Sequence, residues 1–217
     1  MTTSYIKGYM LAILATVISI TSLDRPIADF AHHHQLRSSL FESMTWGADI
    51  MQGYAILLIT SSFFRRWRSQ LHPIRTTLII TLIFAWITRL TTKYLFGRTW
   101  PATWTDNNPS WIKDGIEGFF PLSGSEVYAS FPSGHALVTF ALAAVFWRYF
   151  PKFRWIWRIC GISVVIGMLG QYYHFLGDLL AGAVLGCACG QLSMALIALY
   201  QSKKTLVGRN RQTRKIR

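Results

Sequence analysis

A histidine and an aspartate four positions apart, His174 and Asp178, are the residues of this chain best suited to catalysis. Residues at this spacing face each other on a helix or a tight helical turn. A carboxylate that accepts a hydrogen bond from one imidazole nitrogen fixes the tautomer, so the other nitrogen can act as a nucleophile. The spacing also suits a structural pair that stabilises a kink, and the pair alone does not separate the two interpretations.

The segment Ser133-Gly134-His135 has the features of an anion-binding helix start. A serine at an N-cap precedes a first turn whose backbone N–H groups have no partner within the helix. These groups and the helix dipole favour a phosphate, and Gly134 permits close approach of the backbone. Taken alone, Ser133 is more typical of an ordinary helix cap.

Two cations, Lys93 and Arg98, complete the set that phosphoryl transfer requires. With His174 as nucleophile and His135 as proton donor, they supply a positively charged pocket for the phosphoryl oxygens. The sequence has no H-E-x-x-H or C-x-x-C motif and no carboxylate cluster typical of a magnesium site. We therefore expect metal-independent chemistry without a cofactor, and a solvated loop at His32-His33-His34.

Six apolar stretches surround these residues and predict an all-α integral membrane protein. The 217-residue chain is 52% hydrophobic and only 14% charged, which excludes a disordered or fibrous protein. A membrane span needs about 20 apolar residues. We expect a six-helix bundle within one domain of residues 1–200, followed by a basic tail of residues 201–217; the helices are predicted at residues 9–23, 46–64, 76–96, 135–150, 155–173 and 178–200.

The distribution of charge predicts the orientation in the membrane. Most of the 22 Lys and Arg residues fall near the start, in the second-to-third and fourth-to-fifth connections, and in the tail, whereas all nine acidic residues fall elsewhere. The positive-inside rule then places both termini in the cytoplasm and the polar site on the periplasmic or extracellular side. Because topology accounts for the net charge of +13, we expect no nucleic-acid partner.

Two long segments are predicted to connect helices on the outer side, at residues 24–45 and 97–131. The second is rich in Trp, Phe and Tyr. Amphipathic rings are stable at a membrane interface, so we expect an ordered loop that covers the site. In the sixth helix, Gly182, Gly186 and Gly190 continue the face of Asp178, which predicts close helix packing and an interior, outward-facing pocket.

The candidate residues, in this order, resemble the motifs of the type 2 phosphatidic acid phosphatase superfamily: Lys-x6-Arg-Pro, Pro-Ser-Gly-His and Ser-Arg-x5-His-x3-Asp. The resemblance covers residues 93–178, with a full match of the second motif at residues 132–135. Trp100 stands where the first motif has arginine, and Gly167-Met168 stands where the third has Ser-Arg. Arg98 is the first candidate to compensate for these arginines.

Arg89, one helical turn before Lys93, is a weaker candidate, because an interfacial or bundle-facing arginine is equally consistent with its position.

The resemblance implies a lipid phosphatase of the bacterial inner membrane. His174 would attack phosphorus to form a phosphohistidine, Asp178 would orient it, and His135 would protonate the leaving alkoxide. The phosphoryl oxygens would be held by Lys93, Arg98, Ser133 and Gly134. The expected substrate is a lipid phosphomonoester or an isoprenyl pyrophosphate, such as phosphatidic acid, phosphatidylglycerol phosphate, lipid A or undecaprenyl pyrophosphate.

Three other functions stay open at the level of sequence. A phosphotransferase would use the same residues with a different acceptor. A non-catalytic lipid-binding protein would keep the fold without the two motif arginines. An anion channel or transporter is the third, although the chain has no inverted repeat of the kind common in transporters. The sequence does not specify the oligomeric state.

Overall fold

The computed structural model describes residues 3–104 and 106–215, and this part of the chain is helical without β-strands. Side chains are described for residues 5–104 and 106–204. Of the predicted basic tail, the side chains beyond residue 204 and all of residues 216–217 lie outside the described residues. The helices are α1 Thr3–Ile18, α2 Asp24–His33, α3 Ser39–Thr45, α4 Gly47–Ser61, α5 Arg68–Phe96, α6 Trp111–Asp114, α7 Gly134–Tyr149, α8 Arg154–Gly170 and α9 Leu176–Lys215.

Helices occupy all six of the predicted apolar stretches, as α1, α4, α5, α7, α8 and α9. Four described helical segments are long and apolar enough to cross a membrane: Tyr5–His33, Arg68–Phe96, Pro151–Gly170 and Leu176–Lys204. The helices α4 and α7 have 15 and 16 residues. At a rise of 1.5 Å per residue they are about 22 to 24 Å long, short of the roughly 30 Å hydrocarbon core. The all-α prediction is confirmed, and the count of six spans stays a prediction.

The prediction that the first helix ends at residue 23 is wrong. A π-helical turn, Ser19–Leu23, joins α1 to α2, and α3 occupies most of the rest of the predicted loop 24–45. The charge of Asp24 does not end the helix because its carboxylate is buried within the bundle and paired with Arg98. Its Oδ1 accepts hydrogen bonds from Ser19 Oγ at 2.6 Å and from the Gly177 backbone N–H at 2.8 Å.

The helix α7 lies at the centre of the bundle, in contact with α4, α5, α8 and α9. Glycines of α9 allow this contact. A Cβ at Gly182 would lie 2.6 Å from the Ser133 carbonyl oxygen, and one at Gly186 would overlap the carbonyl of Leu137. The predicted close packing of this face is confirmed, and it buries Asp178 completely.

The loop between α5 and α7 folds back over one end of the bundle. Arg98 forms bridge pairs with Phe119 and Ala129, and the Trp111 indole N–H donates to Asp29 Oδ1 at 2.7 Å, which ties the loop to α2. These contacts hold the described parts of the loop, residues 97–104 and 106–131, against the bundle. The location of the loop at a membrane interface stays a prediction.

The packing of α9 on α7 predicts a loss of stability in Gly186→Leu. Because a side chain there meets backbone rather than a movable side-chain end, we expect a loss of at least about 1 to 3 kcal/mol in the free energy of unfolding. Thermal unfolding in detergent measures it. Gly53→Leu is the control, since a Cβ at Gly53 meets nothing within 4 Å. Equal unfolding temperatures for the two variants would contradict the packing.

Candidate active site

A pocket of about 370 Å³ opens at the end of the bundle where α5 ends and α7 begins. This is the end opposite the α4–α5 and α7–α8 connections. The volume is within the usual range for small-molecule sites. Four of the predicted site residues line the pocket: Lys93, Gly134, His135 and His174.

His174 and Asp178 meet across the start of α9. The Nδ1 atom of His174 lies 3.5 Å from Asp178 Oδ2 and 3.4 Å from Ser130 Oγ, and the Ser130 hydroxyl donates to the same carboxylate oxygen at 2.6 Å. The Phe175 N–H also donates to Oδ2, at 3.1 Å. Because Asp178 and Ser130 contact Nδ1, Nε2 is the ring nitrogen that can act as a nucleophile.

Burial lowers the pKa of His174 below its usual value, against the opposing effect of its hydrogen bond with Asp178. The imidazole is therefore neutral at neutral pH. A neutral ring has a lone pair on the nitrogen that faces away from the carboxylate, as a nucleophile requires. The lowered pKa of His174 thus agrees with the geometry of this residue.

The three predicted site residues at the start of α7 differ in their position relative to the pocket. The Ser133 side chain is buried as the N-cap and accepts a hydrogen bond from the Ala136 N–H at 3.4 Å. Its own N–H donates to the Asp178 carbonyl at 3.0 Å, so Ser133 joins α7 to α9 rather than lining the pocket. Gly134 lies on the pocket wall, and the exposed His135 projects into the pocket.

Arg98 is not on the pocket wall, where the sequence analysis expected it. Its guanidinium is fully buried and pairs with three carboxylates, at 2.8 Å from Asp24, 2.7 Å from Glu117 and 2.7 Å from Asp178. It also packs against the ring of Phe175, 4.4 Å from the centroid. Arg98 therefore acts on the site through Asp178, whose Oδ1 it holds while Oδ2 faces His174.

The charge of Arg98 is maintained by its neighbours. Burial works to lower its pKa, but the carboxylates of Asp178 and Asp24 and a hydrogen bond with Glu117 outweigh burial and raise the pKa above its usual value. Glu117 in turn receives a second cation from the exposed Arg25, at 2.8 Å. The result is a buried network of alternating charges directly behind His174.

The two positions that depart from the motifs both line the pocket. The Trp100 ring lies 5.2 Å from the His174 ring and 5.4 Å from Lys93 Nζ, and the buried Met168 contributes apolar surface. Gly167, next to Met168, stands where the third motif has serine, and the packing explains why a serine is absent there. A Cβ at Gly167 would lie 2.7 Å from the Phe41 carbonyl oxygen, because α3 packs directly on α8.

Several residues of the site were missed by the sequence analysis. Ser130 has no distinguishing spacing, although it stands three residues before the helix start. Asp24 and Glu117 are far from the motifs in sequence, and only the fold brings them to Arg98. Gln52 and Tyr173 lie on the pocket wall, and a polar residue inside the apolar second stretch was the available signal for Gln52.

The buried network predicts that Arg98→Met destabilises the protein strongly. Removing one partner leaves buried carboxylates uncompensated, which costs about 3 to 5 kcal/mol. Chemical or thermal unfolding in detergent measures the loss. Arg25→Met is the matched control, since its side chain is 54% exposed and such surface pairs contribute about 1 kcal/mol or less. Similar losses in the two variants would contradict the assigned role of Arg98.

Comparisons with known proteins identify relatives of this chain. Two relatives described as lipid A 1-phosphatases, from Rhizobium johnstonii and Rhizobium etli, are 28% and 29% identical over 56% and 57% of this chain. The alignments cover 47% and 49% of those proteins, so the chain spans about half the length of the curated relatives it matches.

Among solved structures, a transmembrane PAP2-type phosphatidylglycerolphosphate phosphatase from Bacillus subtilis aligns over 90% of this chain and 96% of its own. The TM-score is 0.46 and the identity is 20%. The family model of the PAP2 superfamily matches residues 74–201, which include every predicted site residue. The chain belongs to the PAP2 superfamily.

Proposed function

We propose that this chain is a metal-independent lipid phosphatase that works through a phosphohistidine on His174. The observation that carries the proposal is the pairing at the start of α9. Asp178 and Ser130 engage Nδ1 of His174, while the ring lines a pocket that also contains His135 and Lys93. Membership of the PAP2 superfamily and the names of the relatives support the same reaction.

The first step forms a covalent intermediate. The lone pair on His174 Nε2 attacks phosphorus, and the bond from phosphorus to the lipid oxygen breaks in line with the new bond. His135 donates a proton to that oxygen, so the lipid leaves as a neutral alcohol. When the substrate is a pyrophosphate, the leaving group is the lipid monophosphate.

The second step regenerates the enzyme. His135, now without its proton, accepts a proton from water as the water oxygen attacks phosphorus. The bond to His174 Nε2 breaks, and inorganic phosphate leaves. During both steps Lys93 and the first N–H groups of α7 stabilise negative charge on the equatorial oxygens.

Asp178 has an electrostatic role in both steps. Its carboxylate holds His174 in one tautomer and stabilises the positive charge that the ring acquires when it is phosphorylated. Arg98 keeps the carboxylate ionised and oriented through its contact with Oδ1. Asp24 and Glu117 balance the cation, so that Arg98 does not draw Asp178 away from the ring.

Six spans with both termini in the cytoplasm would place the pocket at the periplasmic or extracellular face, which agrees with the basic connections at the opposite end of the bundle. A lipid head group at that interface reaches Lys93 and His174 while its tails stay in the bilayer. The relatives' names favour a lipid phosphomonoester, with lipid A and phosphatidylglycerol phosphate as the first candidates.

A non-catalytic lipid-binding protein is the second candidate function. The apolar walls formed by Trp100 and Met168 favour it, because they replace two guanidinium groups of the family motif. A phosphotransferase would share the first chemical step and differ only in the acceptor. Both are distinguished from a phosphatase by the release of inorganic phosphate.

The proposal predicts phosphate release in the presence of EDTA by the detergent-purified protein. The panel contains lipid A, phosphatidylglycerol phosphate, phosphatidic acid and undecaprenyl pyrophosphate. We expect His174→Ala to abolish release, and His135→Ala to lower it by about 10² to 10⁴.

The matched control is His72→Ala, an exposed histidine at the other end of α5, which should retain wild-type activity. Release that persists in His174→Ala would contradict the mechanism. A folded wild type that binds a lipid of the panel but releases no phosphate would favour the binding function.

A further inference from the structure

We infer that Arg89 binds the phosphoryl group of the substrate, in place of the motif arginines that this chain lacks. The inference rests on the proposed function and names the residue that determines phosphate affinity in the same pocket. It is carried by the position of the guanidinium, by its lack of a hydrogen-bond or ion-pair partner among residues 5–104 and 106–204, and by its depth in α5.

Arg89 and Lys93 are four residues apart on α5, so their side chains share one face of the helix. Both line the pocket that contains His135 and His174. Arg89 is therefore a second cation of the reaction pocket, about 6 Å further into the bundle than Lys93 along the helix axis.

The guanidinium lies over the first residue of α7. A Cβ at Gly134 would lie 2.8 Å from Arg89 Nε and 3.3 Å from its Cζ. The glycine of the second motif thus makes room for this side chain as well as for an anion. Arg89 and the start of α7 converge on one wall of the pocket, where an anion can contact both.

The cations near the site differ in what they contact. Arg98 is neutralised by carboxylates, and Lys93 donates to the Ala129 carbonyl oxygen. The guanidinium of Arg89 makes no hydrogen bond or ion pair with any residue in the described ranges 5–104 and 106–204. It is the pocket guanidinium whose donors are free to bind an anion.

The depth of Arg89 in α5 makes a binding role more significant than a surface arginine would suggest. Arg89 is seven residues before the end of α5, or about 10 Å along the helix. Ionisable groups at such depth are costly, and they face a cavity or pair with an opposite charge. A phosphomonoester supplies that charge, and a guanidinium binds two of its oxygens at once.

The phosphate groups of surrounding lipids offer the same chemistry from outside the pocket. An arginine that reaches those head groups would anchor α5 in the membrane without affecting the reaction site. The two sources are separated by measuring phosphate binding in detergent, where no bilayer is present, and protein stability in vesicles of anionic lipid.

The test is a ³¹P NMR titration of the detergent-purified full chain with inorganic phosphate. We expect Arg89→Gln to weaken phosphate binding at least tenfold, and Arg89→Lys to weaken it less because the charge is kept. Arg75→Gln, on the same helix and far from the pocket, is the matched control and should bind as the wild type does. Unchanged unfolding temperatures establish that the variants are folded.

Equal phosphate binding by Arg89→Gln and the wild type would overturn the inference. So would an effect of Arg89→Gln confined to stability in anionic vesicles, which would assign the residue to surrounding lipid. Because phosphate binding requires no turnover, the result is independent of the phosphatase assay. A wild type that binds phosphate through Arg89 but hydrolyses no lipid would refute the proposed function and leave this inference standing.

Discussion

The buried guanidinium of Arg98 joins three carboxylates that come from distant parts of the chain: Asp24, Glu117 and Asp178. A fully buried charge is stable only when it is paired, so each contact is also a structural constraint. Asp24 fixes the junction of α1 and α2, Glu117 fixes the outer loop, and Asp178 fixes the start of α9. The orientation of His174 depends on all three.

Much of the site could be predicted from sequence because the chemistry depends on local spacing. The four-residue interval of His174 and Asp178 and the helix start at Ser133 are short-range features, and the structure forms both. Arg98 was identified by charge alone, and its burial against carboxylates of α2 and the outer loop depends on tertiary contacts. The first helix was ended at residue 23 for the same reason, because the contact between Asp24 and the Gly177 N–H depends on tertiary structure.

The departures from the family motifs have physical consequences that the fold makes visible. Helix α3 packs on α8 so closely that only glycine fits at position 167. The Trp100 ring lies against the His174 ring, and Met168 of α8 lines the same pocket. In our proposal the pocket keeps His174 as nucleophile and His135 as proton donor, and Lys93 and Arg89 of α5 supply the phosphate-binding charge.

The stereochemical course at phosphorus is the most direct test of His174 as the nucleophile, since it reports whether a covalent intermediate forms even when none accumulates. The substrate is a lipid phosphorothioate made chiral with oxygen isotopes, hydrolysed in isotopically labelled water. Attack by His174 and then by water are two in-line displacements, each of which inverts the configuration at phosphorus. We therefore expect net retention. Net inversion would show that water attacks the lipid phosphate directly, and it would contradict the assignment of His174 as the nucleophile.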